Sequence, residues 1–129
     1  MSAKDGKPEE SIRVRAFDDI ALGQRLVGAA GRRAGMTLGE IYEAAVAAAE
    51  LLEAAFHLTG RPLVLRVRAA QARRRLGIEL ALELPRAARP RLLRDLCARF
   101  GRFKAGRLAG GRARLTVVRW KRQPNWGIA

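Results

Sequence analysis

Few side chains in this sequence can carry covalent or metal chemistry. Cys97 is the only cysteine, so no disulfide can close within the chain and a cysteine-based zinc site has nothing to assemble from. His57 is the only histidine, and no metal-ligand spacing surrounds it. With no histidine near it to take its proton, Cys97 reads as a small core residue. His57 falls near the end of an expected helix, where an imidazole meets the helix dipole. What the chain offers in quantity is positive charge. Arg73, Arg74 and Arg75 form one run, and Arg112, Arg114, Arg119, Lys121 and Arg122 crowd the C-terminal region. These eight are the candidate partner-binding residues.

The charge is divided unevenly. Residues 1–60 carry seven Lys/Arg against nine Asp/Glu, a net −2, whereas residues 61–129 carry nineteen against three, a net +16. Such a field attracts nucleic acid, an anionic surface or an acidic protein, and it says nothing about fold. The plainer alternative is an Arg-rich coding bias spread over a solvated surface.

The elements that must position these residues follow from hydrophobic period. Ile12, Val14 and Ala16 alternate with Arg13, Arg15 and Phe17, as in a half-buried strand. Asp18 and Asp19 supply N-cap chemistry for a helix that buries Ile20, Val27 and Ala30 and stops at Gly35. A second helix opens on Thr37-Leu38-Gly39-Glu40, a capping box, and ends at Gly60 and Pro62. Its expected apolar stripe is Leu38, Ile41, Tyr42, Ala45, Ala49, Leu52 and Phe56, with Tyr42 and Phe56 in the core.

Two strands come next. Leu63, Leu65 and Val67 face one way and Val64, Arg66 and Arg68 the other. Leu76, Ile78, Leu80, Leu82 and Leu84 then alternate with Gly77, Glu79, Ala81 and Glu83, an antiparallel strand with one packed and one wet face. Arg73-Arg74-Arg75 fits the exposed loop between them. Pro85 and Pro90 bracket a connection to a short helix with Leu92, Leu93, Leu96 and Phe100. After a turn at residues 108–112, residues 113–120 form a last strand or hairpin with Leu115 and Val117 on one face.

The expected fold is α+β: a two-layer sandwich with a mixed or antiparallel sheet and helices on one face. We expect a flexible tail over residues 1–10, one domain over 11–120 and a basic tail over 121–129. Residues 1–10 hold no apolar run, and nowhere do about 18 consecutive apolar residues occur. The expected location is the cytoplasm, with no membrane partner.

Three segments resemble the histidine-kinase-like (GHKL) ATPase fold, in particular the small serine-protein kinases and anti-sigma factors of bacterial partner-switching modules. They are Asp18-Asp19-Ile20-Ala21 entering the first helix, Ala45-Val46-Ala47-Ala48-Ala49-Glu50-Leu51 in the second, and Gly110 followed by the strand Arg114 to Trp120. The likeness covers residues 11–120. It implies that Glu50 stands at the family's general-base position. It also implies departures: Ala54 where an Asn would hold Mg²⁺, Leu84 where an Asp would accept the adenine amino group, and Ala113 in place of a supporting Thr. The nineteen positions from Leu84 to Phe103 leave little room for a nucleotide lid.

The resemblance therefore implies a degenerate, pseudokinase-like member with no cofactor and no metal. On this reading the chain is a non-catalytic regulatory domain that binds an acidic protein, an antagonist or a sigma-like factor, and it can homodimerise as family members do. One alternative is an RNA- or DNA-binding module, with Arg66 and Arg68 joining the eight cations on one side of the sheet and Trp120 or Trp126 stacking on bases. A second is a divergent ATP-binding protein kinase.

Overall fold

The computed structural model describes residues 9–85 and 93–122. Strand β1 spans Glu9–Val14, helix α1 Asp18–Arg33, helix α2 Leu38–Thr59, strand β2 Leu63–Ala72 and strand β3 Arg75–Leu84. Helix α3 (Arg94–Phe100), strand β4 (Arg102–Arg107) and strand β5 (Ala113–Trp120) complete the order. The strands form one sheet in the order β1-β2-β3-β5-β4, antiparallel at every pairing. Of the two sheet types expected, the antiparallel one holds, because two helices between β1 and β2 reverse the chain three times. The expected tails over 1–10 and 121–129 are each shortened: Glu9 and Glu10 belong to β1, where they pair with Arg68 and Val67, and Lys121 and Arg122 are held by Leu76 and Glu40, while residues 1–8, the connection over 86–92 with Leu92 and Pro90, and residues 123–129 with Trp126 lie outside the described residues.

Both helix starts are built on short polar side chains, but differently. Thr37 and Glu40 make the full capping box: the Glu40 amide donates to the Thr37 hydroxyl at 3.1 Å and the Thr37 amide donates to the Glu40 carboxylate at 2.9 Å. At α1 the N-cap position is Phe17, and neither aspartate caps the helix. Asp19 instead reaches back to accept the amides of Arg15 and Ala16 at 2.8 and 3.2 Å, tying the end of β1 to the helix start. Gly60 closes α2 in the left-handed conformation, with φ 60°.

The core lies between the helices and one face of the sheet. Leu63, Leu65 and Val67 of β2, Ile78, Leu80, Leu82 and Leu84 of β3, and Leu115 and Val117 of β5 all point into it. From the helices come Val27, Ala30, Ala44, Ala48, Leu51, Leu52, Ala55, Leu93, Cys97 and Phe100. Gly31 lets α1 approach α2 closely: a methyl group there would meet the Ile41 side chain at 2.8 Å.

The packed face of α2 differs from the expected stripe. Leu38 is 82% and Tyr42 71% exposed, while Ala44, Ala48, Leu51, Leu52 and Ala55 are buried and Phe56 is half-buried. The helix is apolar around most of its circumference, so period alone allows more than one inward face. The small alanines win because they let α2 lie close to its neighbours. Of the two endings expected, strand or hairpin, the hairpin holds: β4 is its first arm and residues 108–112 are its turn. The sequence of β4, RFKAGR, is exposed at every position, and its short alternation of Phe103 and Ala105 with Arg102 and Lys104 is too brief to mark a strand alone.

Candidate functional site

α3 docks on α2 through Leu93, Cys97 and Phe100, all buried. Burial pushes the Cys97 thiol up to about 11, so it is a neutral core group at ordinary pH and a poor nucleophile. The C-terminal end of α3 is closed by Arg119 from β5. Its Nε donates to the Phe100 carbonyl at 2.6 Å and its Nη2 to the Arg99 carbonyl at 2.8 Å, and the guanidinium lies 5.3 Å from the centre of the Phe100 ring. These carbonyls lack partners within the helix, so the cation satisfies them directly.

The four positions singled out by the family resemblance fall in two places. Glu50 is half exposed on α2, with its carboxylate 3.9 Å from Arg99 of α3. Ala54, one turn on, lines a shallow apolar groove of about 640 Å³ with Phe17, Leu58, Leu93 and Leu96, while His57 stands exposed at its rim. Leu84 and Ala113 are cross-strand partners in the sheet, the first fully buried and the second packed partly against the core. The side chains of Ala54, Leu84 and Ala113 present no oxygen that could ligate a hard cation or accept an amino group. No cluster of three His, Cys, Asp or Glu side chains suited to a metal occurs among the described residues.

The other face of the sheet carries no described helix. Strand alternation puts Arg13 of β1, Val64, Arg66 and Arg68 of β2, Glu79 and Glu83 of β3, Arg114, Thr116, Val118 and Trp120 of β5, and Arg102 and Lys104 of β4 on it. Its electrostatic centre is Glu83, only 9% exposed. Oε2 accepts from Arg66 Nε and from Arg114 Nη2, both at 3.0 Å, and Oε1 lies 3.7 Å from Arg112. The hydrogen bond from Arg66, reinforced by that from Arg114, outweighs burial and holds the carboxyl below the usual carboxylate range. Arg114 Nε is buried beside this cluster and donates to nothing among the described residues.

A second pair, Arg68 and Glu79, meets through Nη2 at 2.7 Å and Nε at 2.8 Å. It borders a shallow depression of about 630 Å³ whose walls include Lys104, Thr116, Val118 and Trp120. Trp120 lies against Gly77, where a Cβ would come within 2.9 Å of the indole, and the Arg75 guanidinium stands over the ring at 4.9 Å.

The eight candidate cations therefore do not gather. Arg73 and Arg74 form the tip of the β2–β3 hairpin, with Arg73 at φ 51°, and Arg75 leaves the loop to stack on Trp120. Arg112 and Arg114 serve Glu83, and Arg119 serves α3 on the opposite face. The Lys121 amide donates to the Leu76 carbonyl at 2.7 Å, and Arg122 docks on Glu40 and Glu43 of α2. Charge density revealed how many cations there are, but not which carbonyls and carboxylates already hold them. The alternation of Glu79 and Glu83 opposite Arg66 and Arg68 was the signal for the ladder on the open face.

No family model matches this chain, and no curated protein is similar to it.

Proposed function

We propose that the chain is a non-catalytic, cytoplasmic regulatory domain of the kind found in partner-switching modules, and that it binds an acidic protein on the open face of its sheet. The observation that carries this reading is the mixed surface of that face: a ladder of arginines alternating with carboxylates around Val118, Thr116 and Trp120. Interspersed charges beside apolar side chains suit a protein surface. A nucleic-acid backbone offers only phosphates to this face, with nothing for Glu9, Glu79 and Glu83, whereas an acidic protein can place its carboxylates on the arginines and its own cations on these glutamates.

The positions expected to serve a nucleotide support the non-catalytic part. The side chains of Ala54, Leu84 and Ala113 supply no ligand atoms, and α3 brings the apolar Leu93 and Leu96 up beside Ala54. Glu50, facing Arg99, is a carboxylate with no metal-bound water to activate.

Affinity capture from a native extract tests the reading. The wild-type chain should retain an acidic protein, and Arg13→Glu with Arg68→Glu on the open face should release it. Capture that survives this double reversal, or captured nucleic acid in place of protein, overturns the proposal. Mg²⁺ and ATP should leave the melting temperature unchanged; a rise of several degrees would restore a nucleotide site.

A further inference from the structure

β4 is an edge strand of unusual exposure. It pairs with β5 on one side only, and all six of its residues are exposed, so neither face is covered by the helical layer. Its other edge presents backbone N–H and C=O groups that no strand among the described residues takes up. Arg102 and Lys104 point to the open face of the sheet, and Phe103 and Ala105 to the helical side, where Phe103 remains 36% exposed. Arg102, Lys104 and Arg107 form no ion pair among the described residues, unlike Arg66, Arg68 and Arg114 in the strands beside them. The strand contains no proline.

We propose that the free edge of β4 takes up an acidic, extended segment of a partner protein as a sixth strand. This deepens the function proposed above, since it rests on an acidic protein partner and specifies how part of it is held. Main-chain hydrogen bonds supply affinity, and alternation supplies specificity. An added strand with acidic residues on one face and apolar residues on the other sets its carboxylates beside Arg102 and Lys104 and covers Phe103 and Ala105. A second copy of this chain is a poor occupant of the same edge. Two β4 strands side by side would set Arg102, Lys104 and Arg107 against their own kind.

The test uses the full chain and a fluorescein-labelled six-residue peptide of alternating Glu and Val, matched to the length of β4. Two controls are a peptide of the same composition with its Glu and Val residues grouped, and an alternating Lys–Val peptide. The alternating acidic peptide should bind at least ~10-fold more tightly than either control. Arg102→Glu with Lys104→Glu, both on exposed positions, should exchange that preference for the Lys–Val peptide while leaving the circular dichroism spectrum unchanged. Amides on the free edge of β4 should gain protection from hydrogen exchange when the peptide is bound. Equal binding of the grouped peptide, an unaltered preference in the double variant, or no gain in amide protection overturns strand addition.

The two proposals fail separately. Capture abolished by the Arg13 and Arg68 reversals, with no peptide binding, leaves the open-face reading standing and removes the β4 mode. Peptide binding that follows the alternation and the charge exchange, without any captured acidic protein, does the reverse.

Discussion

Glu40 and Arg122, 82 positions apart, are joined through a carboxylate that already has a local task. One Glu40 oxygen accepts the Thr37 amide at 2.9 Å to complete the capping box, and the other accepts the Arg122 amide at 2.8 Å. The start of α2 and the segment leaving β5 therefore share one buried acid.

That sharing makes stability depend on pH in a definite direction. Burial opposes ionisation of Glu40, but the Thr37 and Arg122 amides, the Thr37 hydroxyl and the Arg122 guanidinium together hold its carboxyl below the ordinary value of 4.5. A carboxyl with a depressed folded pKa stabilises the fold above its unfolded value and loses that contribution as pH falls through the folded one. Glu83 acts in the same sense. Denaturant titrations should show stability declining below about pH 4.5. Glu40→Gln should cost about 1–2 kcal/mol at neutral pH, because an amide cannot accept with both ends, and should flatten that decline.

Removing the Glu83 carboxylate should do more than remove hydrogen bonds. Glu83→Ala leaves Arg66, Arg112 and Arg114 facing one another without their common counter-charge. The arginines are partly exposed, which limits the penalty to about 2–3 kcal/mol rather than that of a fully buried broken pair. Urea denaturation measures it, and added salt should recover part of the loss by screening the repulsion.

Arg119→Ala should loosen α3 locally. The change frees the Arg99 and Phe100 carbonyls and uncovers the Phe100 ring, at a cost of about 2 kcal/mol. Cys97, fully buried on the same helix, reports the opening. Its reaction with a thiol reagent should be slow in the wild type and at least ~10-fold faster in the variant, while Arg119→Lys should fall between. An unchanged labelling rate would remove Arg119 from the role of helix closure.

Gly77→Ala should destabilise the sheet by roughly 1–3 kcal/mol, since no side chain fits between β3 and β5 there. A Cβ at this position collides with the Arg119 carbonyl and presses on the Trp120 ring. Trp120 fluorescence should shift as the indole is displaced from its place against Gly77, and an unaltered spectrum with unaltered stability would contradict the packing described.

Strand alternation and capping chemistry were legible because they are local. Leu76 to Leu84 alternates with the period of two that marks a strand, although its expected wet side is largely covered, with Gly77, Ala81 and Glu83 buried and Leu76 exposed, and Thr37 with Glu40 writes its helix start within four residues. Where local pattern was degenerate, tertiary packing decided. The Ala-rich surface of α2 left its inward face open, and contact with the sheet and α1 selected Ala44, Ala48 and Ala55 while leaving Leu38 and Tyr42 outside. β4 offers only Phe103 and Ala105 as an apolar period, both exposed, so its pairing with β5 is what makes it a strand.

The same division holds for the candidate site. The sequence by itself determined that the cations are many, that they lie mostly after residue 60, and that no cysteine or histidine cluster exists to do metal chemistry. Only the tertiary structure decided which cations are already engaged: Arg119 on the end of α3, Arg122 on Glu40, and Arg66 with Arg114 on Glu83, against Arg102, Lys104 and Arg107 on the free edge. A charge is a property of one residue. Its partner is chosen by folding, which brings together groups that the sequence keeps 20 to 80 positions apart, as in Arg119 with Arg99 and Arg122 with Glu40.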